Sequence, residues 1–114
     1  MSDGHFSGNA GSLGEAFRGW FVGPYQLPNH EILARPNVEM KWGSHLKGEA
    51  RAGWDAGSPS WSLSILVSGR FDILFEDRTE ELRAPGDFVI WRPGTPHSWA
   101  AITDAVVLTV RWSD

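Results

Sequence analysis

Glycine and proline divide this sequence into short apolar runs, thirteen of the first and seven of the second standing between them. That spacing leaves no room for a helix of ordinary length. Strands of about five to eight residues with turn signals every ~8–12 residues belong to a sandwich or barrel, so the fold class is all-β.

The strictest alternation runs from Trp61 to Val67. Trp61, Leu63, Ile65 and Val67 face one way, and Ser62, Ser64 and Leu66 the other. Period two of this kind is a strand with one buried face. From Val38 the pattern repeats, with Val38, Met40, Trp42 and Ser44 against Glu39, Lys41, Gly43 and His45, which puts His45 on the polar face. Further strands are expected over Phe17 to Tyr25, around Glu31 to Leu33, from Glu49 to Trp54, and from Arg70 to Glu76. Others follow at Glu80 to Arg83, Phe88 to Trp91, Trp99 to Ile102 and Ala105 to Trp112. Gln26 to Asn37, with its prolines, reads as an irregular connection. Residues 1–16 read as an N-terminal arm, in which Ser12 and Glu15 have capping-box spacing for a very short helix at most. Residues 17–114 then make one barrel domain, long enough to bury a core.

Composition excludes several classes. The formal net charge is −4, and ten scattered Lys and Arg are outnumbered by fourteen acids, so no basic footprint for nucleic acid exists. No apolar run approaches the ~20 residues of a membrane span. The first dozen residues have neither a basic nor an apolar region of secretory type, and a cytoplasmic location is expected. The absence of cysteine removes disulfides, thiolate zinc sites and cysteine nucleophiles together. Seven tryptophans against one tyrosine suit a barrel core, an interface or a stacking surface.

The stretch from Gly86 to Trp99 reads GDFVIWRPGTPHSW: a glycine-led turn, an apolar strand, a Pro93-Gly94 corner and His97 at the start of a returning strand. It resembles the second signature motif of the cupins, small RmlC-like jelly-roll β-barrels, with the proline one place late and Ala101 where asparagine often stands. Gly48 and Gly69 fit the outer glycines of the first motif. Between them, however, the two histidine positions read Trp54 and Ala56, and the glutamate position reads Ser62. The resemblance covers roughly Val38 to Trp112 and implies a cupin-type jelly-roll β-barrel.

Many cupins hold a metal on three histidines and a glutamate, and here only His97 of those four remains. Hydroxyl, indole and methyl groups do not hold a divalent transition metal at useful affinity. No cofactor is therefore expected; the alternative is a non-standard divalent site built from His45, His97 and a carboxylate. In the cupin register Ser62, Ser64 and Leu66 face inward, as do His97, Trp99 and Ala101, with Trp54 at the first histidine position. That implies a cavity of hydroxyls, indoles and one imidazole, to which Arg51 and Arg111 add positive charge if they point inward.

Three functions follow. The first is a metal-free small-molecule-binding cupin, using Trp54, Ser62, Ser64, His97, Trp99, Arg51 and Arg111. Its ligand is left open between a sugar stacked on indole and an aromatic acid held by arginine. The second is an enzyme of isomerase, dioxygenase or lyase type, with His97 as catalytic acid/base or metal ligand. The third is a structural or interaction domain with a vestigial pocket. A serine hydrolase is disfavoured, because no G-x-S-x-G elbow occurs. The apolar row Trp61, Leu63, Ile65 and Val67 would point away from the cavity and needs covering, by the N-terminal segment with Phe17, Trp20 and Phe21 or by a second subunit. A homodimer is expected.

Overall fold

The computed structural model describes residues 4–26 and 30–113. Among them the chain forms a short helix, α1 (Ala10–Gly14), and eight strands: β1 (Trp20–Val22), β2 (Val38–His45), β3 (Trp61–Ser68), β4 (Phe71–Phe75), β5 (Thr79–Leu82), β6 (Phe88–Trp91), β7 (His97–Ala101) and β8 (Ala105–Trp112). They make a five-stranded antiparallel sheet in the order β1-β2-β8-β3-β6 and a three-stranded sheet in the order β5-β4-β7. The chain crosses from one sheet to the other after β3, β5, β6 and β7. This is the jelly-roll arrangement, and the all-β reading holds.

Turn chemistry explains the crossings. Gly69 sits at φ +82° between β3 and β4, and a methyl group there would lie 2.1 Å from the Asp104 carbonyl oxygen in the β7–β8 turn. Two sheet-changing corners thus touch at one residue, and only glycine allows both the left-handed backbone and the approach. The Thr103 hydroxyl accepts from the Arg70 amide at 3.0 Å and locks the same corner.

The core lies between the sheets. Leu66 and Val107 come from the large sheet, Phe71, Ile73, Leu82 and Ala101 from the small one, and Ala105 begins β8. Burial of roughly 1.5–3 kcal/mol per large apolar side chain is the main force closing the two sheets on each other.

Four local expectations change. The strand expected over Phe17 to Tyr25 shortens to Trp20–Val22, because Glu15–Phe17 form a 3-10 turn and Arg18 and Gly19 take positive φ. The short strand expected around Glu31 is a 3-10 turn, Glu31–Leu33, in which the Ile32 amide donates to His30 Nδ1 at 3.1 Å. Of the connection before it, residues 27–29 lie outside the described residues. The helix cap in the arm is Asn9, not Ser12: the Ser12 amide donates to Asn9 Oδ1 at 3.0 Å, and α1 packs against β1 and β2.

The fourth change concerns Glu49 to Trp54, which pairs with the edge of β7 without forming a regular strand. Arg51 N donates to Trp99 O at 3.0 Å, Asp55 N to His97 O at 2.8 Å, and His97 N returns to Asp55 O at 3.1 Å. Gly53 at φ +77° interrupts this ladder, leaving isolated bridges at Ala50 and Asp55.

Candidate functional site

The site is set by three strands in register. Across β2, β8 and β3 the inward positions line up as Glu39–Arg111–Ser62, then Lys41–Thr109–Ser64, then Gly43–Val107–Leu66. The first two rows are polar and the third is apolar. The barrel interior is therefore graded, wet at one end and oily at the other. From the small sheet, His97, Trp99 and Ala101 lie opposite Phe75, Ile73 and Phe71 on β4. A cavity of about 140 Å³ occupies the polar end, walled by Ser62, Ser64, Thr109, His97, Trp91 and Trp99.

Several polar groups at this end have defined partners. Ser64 and Thr109 share a hydroxyl–hydroxyl bond of 2.7 Å. His97 Nδ1 lies 3.0 Å from the Thr95 carbonyl oxygen, to which it donates as N–H, and Nε2 lies 3.9 Å from an Asp55 oxygen. The His97 ring also lies 4.8 Å from Trp91. Arg51 reaches the same Asp55 oxygen at 3.8 Å. Tyr25 donates its hydroxyl to Glu39 Oε2 at 3.0 Å, and burial together with that carboxylate holds the phenol protonated far above its ordinary range. Arg111 stacks its guanidinium 4.2 Å over the Trp20 ring, with Nε 3.5 Å from Glu39 Oε1. That Nε is buried and has no hydrogen-bond partner among the described residues.

Lys41 and His45 also face inward. Burial lowers the Lys41 pKa, and the neighbouring Arg111, Arg18 and Arg51 lower it further. Burial likewise lowers the His45 pKa, with Lys41 adding to the effect and Glu49 opposing it. The His45 ring packs against Trp99 at 4.5 Å and Phe71 at 5.1 Å, on the apolar side of the cavity.

Of the residues singled out in the sequence, Arg51, Ser62, Ser64, His97, Trp99 and Arg111 all line this one cavity, as does His45. Trp54 does not. It is 51% exposed and stands outside the wall, since the irregularity at Gly53 turns it away from the barrel. Among the described residues no three His, Asp or Glu side chains come together as a metal-holding group. His45 and His97 are set in different surroundings, the first on Trp99 and Phe71, the second on Trp91 and Asp55.

Sequence reasoning missed Lys41, Thr109, Trp20, Trp91 and Asp55. For Lys41 and Thr109 the signal was present in strand parity. Only the β2–β8–β3 register says that the polar parity of β2 faces the lumen.

The outer face of the large sheet is apolar. Phe88 is 59% exposed, Ile90 46% and Val67 39%, beside half-buried Leu63, Ile65, Leu108 and Val110. The N-terminal segment packs on β1 and β2, at the far side of β8 from β3, so the expectation that it covers the β3 row is not met.

No protein-family profile matches this chain, and no curated protein matches it by sequence. Solved structures do. A cupin superfamily protein from Desulfitobacterium hafniense superposes with a TM-score of 0.64 at 22% identity, covering 72% of this chain and 73% of that one. A cupin protein from Bacteroides fragilis gives 0.63 at 20% identity over 75% and 73%, and KdgF from Halomonas sp. gives 0.63 at 18% over 70% and 73%. The fold is that of a small cupin domain.

Proposed function

We propose that this cupin-fold chain binds a small molecule in the polar end of its barrel, without the four-residue metal site that its motif positions have lost. The observation that carries this reading is the cavity itself: hydroxyls of Ser62, Ser64 and Thr109, the imidazole of His97 and the rings of Trp91 and Trp99 converge on about 140 Å³ of space. A concave, largely apolar wall with a few convergent polar groups is the usual form of a small-ligand site. The experiment is a metabolite-library titration read by tryptophan fluorescence, alongside metal analysis of the purified protein. Saturable quenching without stoichiometric metal is the expected result. Stoichiometric Fe, Mn, Ni or Zn that is lost in His97→Ala would replace this reading with a metal-dependent one.

A second reading, catalysis by His97, draws on one specific contact set. Nδ1 is held by Thr95, Nε2 lies 3.9 Å from Asp55, and the residue lines the cavity, a setting in which an imidazole can act as general acid/base. Turnover of a bound ligand that disappears in His97→Gln, while binding persists, would establish it.

The same reading includes a homodimer formed through the outer face of β3, β6 and β8. A two-fold dimer would put like strands against each other and remove Phe88, Ile90, Leu63 and Ile65 from water. Light scattering at tens of micromolar tests this, and a monodisperse monomer there sinks it.

A further inference from the structure

The charges of the cavity select its ligand. Three cations line the wall, Lys41, Arg51 and Arg111, against one carboxylate, Asp55, in a chain whose formal net charge is −4. Asp55 serves Arg51 at 3.8 Å and His97 at 3.9 Å. Glu39, behind the wall, is divided between the Tyr25 hydroxyl and Arg111. Among the described residues the Lys41 ammonium has neither a carboxylate within ion-pair reach nor a side-chain hydrogen bond; the Trp20 ring lies 5.7 Å from Nζ. A half-buried ammonium left this way costs free energy unless something negative comes to it. On the adjacent strand Arg111 has an ion-pair contact, Glu39 Oε1 at 3.5 Å from Nε, but among the described residues that buried Nε has no hydrogen bond.

Both groups lie over the Trp20 ring, Arg111 with its guanidinium carbon at 4.2 Å and Lys41 with Nζ at 5.7 Å, which brings the two cations to one side of the cavity. Lys41 is the register partner of Thr109, and Thr109 is hydrogen-bonded to Ser64. One anionic group placed there would meet an ammonium, a guanidinium and a pair of hydroxyls. The rest of the cavity is ring-lined by Trp91 and Trp99, and about 140 Å³ is the scale that holds a molecule of benzene size, roughly 150 Å³.

We infer that the ligand is a small monocarboxylate with a flat or apolar body, its carboxylate held by Lys41 and Arg111 and its body packed on Trp91 and Trp99. This rests on the small-molecule-binding reading above and decides between a neutral sugar and an organic acid. A neutral sugar would leave the Lys41 charge uncompensated.

The test is isothermal titration calorimetry at neutral pH with matched pairs that differ only in charge: benzoate against benzamide, and cyclohexanecarboxylate against its amide. The acid should bind roughly 10- to 100-fold more tightly than its amide, the difference that a charge-assisted hydrogen bond makes. Lys41→Met should close most of the gap between acid and amide, Arg111 keeping the rest, and Lys41→Arg, which keeps the charge, should restore most of it; a cooperative melting transition at or above the wild-type temperature shows that both variants fold. Amides that bind as tightly as acids, or a Lys41→Met variant with wild-type affinity for benzoate, overturn the inference and leave the binding reading standing. Absence of binding for these acids while a neutral metabolite binds has the same consequence. Absence of binding for every acid, amide and library compound overturns both.

Discussion

The two sheets share one apolar core but differ in the rest of what they bury. The three-stranded sheet turns Phe71, Ile73, Leu82 and Ala101 inward and carries Asp72, Glu81 and Arg83 as an ion-paired cluster, with Arg83 2.8 Å from Asp72 and 3.0 Å from Glu81. The five-stranded sheet turns Glu39, Lys41, Ser62, Ser64, Thr109 and Arg111 inward at its polar end and leaves Leu63, Ile65, Phe88 and Ile90 outside. The first arrangement is what stability alone asks of a half-buried sheet. The second is costly for stability. Polar groups inside are stabilised by pairing and apolar ones outside by being covered, and on both faces the large sheet carries groups that call for a contact.

Perturbing each half should sharpen this contrast. The largest effect belongs to Phe71→Ala in the small sheet, where a 4% exposed ring fills the core. A loss of about 3–5 kcal/mol in denaturant unfolding is expected. Gly69→Ala strikes the junction between the sheets, where positive φ and a 2.1 Å approach to the Asp104 carbonyl combine. Left-handed strain and overpacking together should cost roughly 2–4 kcal/mol. In the polar half, Ser64→Ala removes only the hydroxyl bond to Thr109 and should cost about 1 kcal/mol. A Ser64→Ala cost equal to that of Phe71→Ala would break the comparison, since the polar rows would then carry the fold as heavily as the apolar ones.

The smallest effect is a pH dependence at His45, which lies where the two halves meet. Its neighbours include Trp99 and Phe71 from the small sheet, Lys41 on its own strand, and Glu49 in the segment beyond it. Because burial and Lys41 hold its folded pKa below the ordinary 6.5, the unfolded chain binds more protons between those two values. Stability should therefore rise as pH rises through that window, and the full penalty should stand below it. Denaturation midpoints measured across this range should slope upward in the wild type and flatten in His45→Gln. Equal slopes in the two proteins would assign the dependence to another group.

Much of the architecture was legible because alternation and turn residues are local properties. The β3 parity put Ser62, Ser64 and Leu66 together, and all three are buried. The last strand runs from Ala105 to Trp112 as read, because Thr103-Asp104 and its own alternation bound it at both sides. The cavity was legible as far as the signature motif reached, through Ser62 and His97. It was not legible at Trp54, where a motif position was carried over without the left-handed Gly53 that diverts the chain.

By itself the sequence determined that this chain is a turn-rich all-β protein with two-faced strands. Local chemistry suffices for that, since period two and glycine–proline punctuation act within a few residues. Only the tertiary structure decided which face of each strand looks inward. An alternating strand offers both faces equally, and the choice belongs to its neighbours: β8 sets Arg111 between Glu39 and Ser62, and Thr109 between Lys41 and Ser64. That register, spanning dozens of residues in sequence, turned the polar side of β2 into the wall of a cationic cavity.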